Sequence, residues 1–422
     1  MAPQTVVSKE HAADLAEKGQ AVPYDGEGTV EKPYIVKFLD DDKENPMNWS
    51  QTKKWGITCN AAISTFCIAF ASSAYSGGLI DFMIYFKQDT EVITLGLSLF
   101  VLGFACGPLL WAPFSEQWGR RPVFLVTYFM FAVFNIPCAL AKNIETLLIC
   151  RFLAGFWGSS PLTNSGGIIS DMFSASDRAL AMGMFALAPF AGPVAGPVAS
   201  GFLGESVSWR WIFWLLTIWS FVMWGLGFLS PETYAPILLR RRAEKLSKKT
   251  GMVYLSMYDL HPMFSAPFAQ KMKAALLRPF VLLFKESIIL AFSIYAAFIY
   301  GILYLFFGAY PIVYQQERGW SPGIGGLPFI AVGIGMVLAV AVSIYDNKRY
   351  VRNLIAAGGT LPPEARLPLC CIGGVVLPVG LFWFAWTTLR EVHWIASVLA
   401  GIPFGFAMGV SRFYTYALSK AS

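Results

Sequence analysis

Three short stretches carry nearly all the residues able to do charge or conformational chemistry within an otherwise apolar chain of 422 residues. The first is GPLLWAPFSEQWGRRPVFL, where Glu116, Gly119, Arg120 and Arg121 occupy a loop of only a few residues between two expected helices. A turn that short needs glycine's conformational freedom, and the paired arginines suit either a helix end or the Glu116 carboxylate. The second is CRFLAGFWGSSPLTNSGG, whose Arg151 is the one basic residue expected inside a membrane-length apolar segment. Near the bilayer centre an arginine costs roughly 2.5–3.5 kcal/mol on insertion scales, so it should face protein or water and find a partner. The third is ALAPFAGPVAGPVASGF, in which Ala188, Gly192, Gly196 and Ser200 recur every four residues and Pro189, Pro193 and Pro197 repeat at the same period. Such a helix is grooved for close approach by a neighbour and is expected to bend where backbone donors are missing. Static packing accounts for the glycines but not for three prolines in register.

Acids are placed differently. Asp81, Glu116, Asp171, Glu205, Glu286 and Asp346 all sit at the expected ends of apolar segments rather than near their middles. No nucleophile–base pair, metal-ligand cluster or phosphate-binding loop stands in a suitable context. An enzyme is therefore not expected, and neither is a cofactor or a metal.

The elements that must position these residues follow from composition. With 56% hydrophobic and only 14% charged residues, the chain has too little polar surface for a soluble globule of this size. Ten apolar segments of roughly twenty residues are expected to span a bilayer as helices, at 55–79, 92–114, 122–141, 145–170, 178–203, 208–230, 287–314, 322–345, 367–388 and 393–410. Twenty-four Lys and Arg fall in the loops on one side and five on the other, which puts the N-terminus and the central loop in the cytoplasm. That bias also explains the net charge of +6, so nucleic acid is not an expected partner. The first 54 residues lack a short apolar core with a cleavage site, so the first span is expected to be retained. All seven cysteines lie in apolar segments and imply no disulfide framework. The run RRRAEKLSKK at 240–249 is compatible with binding anionic headgroups and equally with topology plus a solvated helix.

Taken together, these motifs resemble the signatures of the major facilitator superfamily, and specifically its fungal drug:proton antiporter branch with twelve spans. The GRRP turn looks like the family's cytoplasmic loop motif, RFLAGFWGSSPLTNSGG like its fourth-helix arginine motif, and AGPVAGPVASG like its antiporter motif. NPMNWSQTKKW, SWRWIFWL and PETYAPILLRRRAEKL are further family-like features, so the resemblance covers about residues 45–410. The chain departs from the loop motif at Glu116, Gln117 and Ala112, where the family often has aspartate, arginine and glycine.

The resemblance implies an all-α membrane protein with the major facilitator fold. Its expected divisions are a cytoplasmic tail (1–54), a six-helix N-terminal bundle (55–230), a basic cytoplasmic loop (231–286), an incomplete C-terminal bundle of four helices (287–410) and a short tail (411–422). The six-plus-four count reads as a twelve-span transporter truncated after span ten. The implied activity is proton-coupled efflux of small neutral or amphipathic organic compounds, drugs or a fungal secondary metabolite, by alternating access at the plasma membrane. The chain would act as a monomer, with the organic substrate, protons and the lipid bilayer as its partners. Glu116, Gly119, Arg120 and Arg121 would form a conformational switch, and Gly192, Pro193, Gly196, Pro197 and Gly201 the antiporter motif. Arg151 and Asp81 are coupling candidates. Spans one, four, seven and ten would line the route, giving Asn60, Asn164, Tyr295, Tyr300 and Tyr304 as cavity candidates. A polyamine exporter of the same fold, or an inactive sensor-like paralogue, is the alternative. A polyamine pump is disfavoured by the lack of mid-membrane acids to neutralise several positive charges.

Overall fold

In the computed structural model, residues 24–39, 41–260, 268–358, 365 and 367–418 are described. The first 23 residues of the expected tail and residues 419–422 lie outside them.

The expected spans are helices, although the first, fourth, eighth and tenth are interrupted. The first begins where the Ser50 side chain accepts from Lys53 N, and runs as α1 (Gln51–Ala74), a tight 3-10 segment (Tyr75–Gly78) and α2 (Leu79–Phe86). Then come α3 (Thr90–Trp118) and α4 (Arg120–Leu140), joined by Gly119 alone. The fourth span is split at Ser159 into α5 (Ile144–Gly158) and α6 (Ser160–Met172), with Pro161 starting the second piece. The Gly/Pro-rich segment is α7 (Ala175–Ser206), followed by α8 (Arg210–Gly227). Despite its three prolines, α7 is one unbroken helix, because each proline removes only a single backbone donor.

The central region is more structured than a loop. It holds α9 (Ala235–Thr250), a strand and α10 (Phe268–Lys285). Its strand β2 (Tyr254–Ser256) pairs in parallel with β1 (Tyr34–Val36) from the tail, with Tyr34 opposite Tyr254. Arg242 on α9 completes the clasp. It donates through Nη1 to Asp42 at 2.6 Å and through Nε to Glu44 at 2.9 Å, and Asp42 is almost wholly buried. The run 240–249 is thus partly committed to the tail.

The remaining rods are α11 (Ser287–Tyr310, continued by a π-helical turn at Pro311–Glu317), α12 (Pro322–Gly326), α13 (Phe329–Ala356), α14 (Leu367–Thr387), α15 (Trp394–Leu399) and α16 (Gly401–Leu418). For orientation, the face carrying the tail and the central region is here termed the tail face, and the opposite one the far face.

A repeated packing device relates the two halves. In the first, α3 crosses α5 at paired glycines: a Cβ at Gly103 would lie 2.2 Å from the Phe152 carbonyl oxygen, and one at Gly155 2.1 Å from that of Phe100. In the second, α13 crosses α16 in the same way, with Gly335 against Ile402 O and Gly405 against Val332 O at 2.1 and 2.0 Å. In lipid, which gives helices no hydrophobic drive to associate, contact at this distance depends on small residues at the crossing. Internal repeats of this kind are the architecture from which rocking transporters are built.

Candidate functional site

Gly119 adopts φ +105°, a conformation in which side chains are strained, and this lets one residue connect α3 to α4. The turn is filled by the Glu232 carboxylate from the segment after α8, which accepts from Arg120 N (2.9 Å), Arg121 N (3.2 Å), Thr233 N (3.1 Å) and Tyr234 N (3.0 Å). A negative charge at the first amides of α4 satisfies donors with no partner inside the helix and complements its dipole. A Cβ at Gly119 would fall 2.2 Å from Glu232 Oε2, so glycine is needed for space as well as for φ.

Arg120 turns inward from this turn. Its Nη1 donates to Ser115 Oγ at 2.6 Å, its Nε is 3.6 Å from Asp171 Oδ2 on α6, and its guanidinium lies 4.9 Å over the Tyr234 ring. Arg121 donates to the Phe228 carbonyl at 2.9 Å. Of the two partners expected for the arginines, the helix end is the one met, by Arg121 at the close of α8, while Glu116 is exposed and borders a recess with Arg240, Tyr258, Asp259 and Lys271. The reason is geometric: α3 continues to Trp118, which leaves Glu116 on its outer side. Burial, and then the Glu116 charge, push the nearby Tyr234 phenol up to about 12. The cluster therefore ties α3, α4, α6 and the exit of α8 together through Glu232 and Asp171. The stretch PETYAPILLRRRAEKL carries this carboxylate, but nothing local in the sequence marks its partner in the α3–α4 turn.

Glu232→Ala is expected to lower the stability of the purified protein by about 1–3 kcal/mol, since four amides lose a charged acceptor. Glu232→Gln, which keeps one acceptor oxygen, should cost less; thermal unfolding in detergent measures both.

Arg151 is fully buried, and among the described residues no carboxylate lies beside it. Its Nε donates to Gly96 O at 3.1 Å and its Nη1 to Ala71 O at 3.0 Å, while Nη2 has no protein partner. The guanidinium is sandwiched by Phe100 (4.2 Å) and Tyr75 (5.0 Å). Asp81, the other coupling candidate, is half-buried near Gly204 at the far end of α7, and the structure does not bring the two together.

The α7 stripe serves two neighbours. Gly192 and Gly196 press on α1: Cβ atoms there would lie 2.5 Å from Ala69 Cβ and 2.0 Å from Ser73 Oγ. Gly201 and Pro197 face the second half, where a Cβ at Gly201 would sit 2.4 Å from Pro322 O and one at Gly326 2.6 Å from Pro197 O. Glu205 adds a link the sequence did not reveal, accepting from Gly323 N at 3.1 Å. The far face is thus closed by backbone contact between α7 and α12. Towards the tail face α7 and α13, with Gly409 of α16, border an open apolar cleft of about 550 Å³, lined among others by Leu187, Phe190, Val194, Gly333 and Val337.

The five cavity candidates separate. Tyr304 O–H donates to Ser72 Oγ at 3.1 Å, joining α11 to α1 across the two halves. Asn60 and Asn164 border a pocket of only about 30 Å³ within the first half, beside Arg120 and Arg121, and each has an unpaired Oδ1. Tyr295 approaches α14, with its hydroxyl 4.0 Å from a Cβ placed at Gly374. Tyr300 packs at the edge of the main core.

Residues 61–422 match the Major Facilitator Superfamily. The chain belongs to that superfamily. An MFS-type efflux pump of Trichophyton rubrum is 54% identical over 387 residues, covering 92% of this chain and 65% of that protein. The multidrug transporter mdrA of Aspergillus fumigatus is 52% identical and covers 92% of this chain and 64% of its own length. This major facilitator therefore spans just under two thirds of these relatives. Its fold is like that of a D-xylose–proton symporter (TM-score 0.61, 18% identity, 84% of this chain and 80% of that one). It is also like a partially occluded inward-open xylose transporter of E. coli (TM-score 0.62, 16% identity, 87% of each). As a major facilitator, the chain is a multi-pass membrane protein of a transporter family.

Proposed function

We propose that this chain carries out proton-coupled efflux of small neutral or amphipathic organic compounds, by alternating access between a cytoplasmic tail face and an exterior far face. The observation that carries the reading is the asymmetry along α7: backbone contact with α12 at the far face, and a 550 Å³ cleft against α13 towards the tail face. A small-residue contact that ends in a gap is the arrangement that rocking of one half on the other would open and close. The efflux-pump and multidrug-transporter names of the relatives support the direction and the substrate class.

Two features favour uncharged or amphipathic cargo over polyamines. The 550 Å³ cleft is lined by apolar side chains, and the fully buried Arg151 is a cation whose hydrogen-bond partners are carbonyls. A polycation entering such a field would meet repulsion without a compensating acid. Glu232, Asp171, Arg120 and Gly119 form the switch in this reading, with Arg151 the coupling group. Localisation at the plasma membrane and action as a monomer complete the proposal.

Proteoliposomes with the tail face outward test it. An acid-inside gradient should drive saturable uptake of a lipophilic dye, and spermidine should not compete. Saturable spermidine uptake without dye uptake would establish the polyamine alternative. Dye binding with no flux would make the chain a receptor.

A further inference from the structure

Helix α10 has three distinct sides. Met272, Ala275, Leu276 and Leu283 are partly buried against the protein. Leu277, Phe280, Val281 and Phe284, at helical spacing on another arc, are 49, 48, 54 and 75% exposed, so they contact something other than this fold. Between these two sides runs a basic stripe, Lys271, Arg278 and Lys285, at intervals of seven residues. Lys273 lies at the N-terminal end of the apolar arc.

The position of the helix is also defined. Lys271 shares the tail-face recess with Glu116 and Asp259, and burial lowers the proton affinity of its ammonium. At the other end, only Glu286 separates Lys285 from α11, so Lys285 stands at the level where a spanning helix begins and Arg278 lies about two helical turns before it on α10. An apolar arc flanked by cations at that depth matches the boundary between acyl chains and headgroups.

We propose that α10 lies in the tail-face leaflet as an interfacial anchor and binds anionic phospholipid headgroups through Arg278 and Lys285. Leu277, Phe280, Val281 and Phe284 insert into the acyl region, while Met272, Ala275, Leu276 and Leu283 hold the helix to the protein. The lipid then acts on the element that connects the two halves, because α10 leads directly into α11.

Hydrogen exchange of the whole protein in nanodiscs tests this without depending on transport or on orientation in a cell. In discs containing phosphatidylserine, amides of α10 should exchange about tenfold more slowly than in purely zwitterionic discs, two basic groups near a charged surface being sufficient for that. The slowing should fade at high salt in the wild-type protein. It should disappear in the Arg278→Glu/Lys285→Glu variant while α13 exchanges as before. Equal exchange in both lipids, or slowing that survives salt and charge reversal, would overturn the proposal; protection that instead depends on an added protein would identify the face as a protein-binding one.

Discussion

Replacing Arg151 with methionine is expected to reduce transport by about a hundredfold, near the upper limit of what one coupling interaction supplies. The same change should leave the melting temperature unchanged or raise it. The two effects separate because of where the arginine sits. Its guanidinium is fully buried and held by two carbonyls and two aromatic rings, and no carboxylate among the described residues offsets its desolvation. Exchanging buried ionic groups for well-packed apolar side chains is often neutral, or stabilising by about 1–4 kcal/mol. In the proposed role the charge costs stability and serves coupling, from a place between α1, α3 and α5 where movement among them would reach it. Arg151→Lys should be nearly as inactive, since a point charge cannot bridge Gly96 O and Ala71 O as a planar fork does. Flux in proteoliposomes and thermal unfolding of the same preparations check both effects. Retained flux, or a sharp loss of stability, would make Arg151 a packing residue.

The second large effect is expected at Gly201. A valine there meets the Pro322 carbonyl across the far-face closure, where a Cβ would already lie at 2.4 Å. Overpacking of about 1–3 kcal/mol at a contact made in only one of two states moves the open-to-closed ratio roughly five- to hundredfold. Spin labels on Ser206 and Ser321 should report a longer distance in Gly201→Val than in the parent protein. Gly196→Val provides the contrast. Its Cβ would lie 2.0 Å from Ser73 Oγ and 2.9 Å from Ala74 N, inside the first half, where no alternative arrangement relieves the clash. That variant should lose folded yield rather than shift between states.

Much of this was legible in the sequence, and the reasons are local. Spans of apolar residues, loop charge and the period of Gly and Pro in α7 are properties of neighbouring residues, and they survive folding almost unchanged. What was not legible depends on long-range pairing. Glu116 lies four residues from Arg120 and was one of two expected partners, yet Glu232, more than a hundred residues away, fills the turn. The Glu205–Gly323 link was hidden for the same reason. The fourth span was expected as continuous, although Pro161, at the start of the second piece, marked the division in the sequence. Helix α10 read as part of a basic loop, since its charges count towards topology while its apolar arc is shorter than a span. Of the expected cavity residues, Tyr304 does join the two halves, whereas Asn60 and Asn164 face inward beside the arginine turn.

Reversible locking of the far face is the most direct test of alternating access. A Cβ at Gly323 would lie 2.5 Å from Phe202 Cδ1, so positions 202 and 323 meet across the closure and are the pair to cross-link. In a background with the seven native cysteines replaced, oxidation of Phe202→Cys/Gly323→Cys should abolish dye flux and reduction should restore it, with each single variant unaffected. Full flux through a quantitatively cross-linked protein would contradict the account.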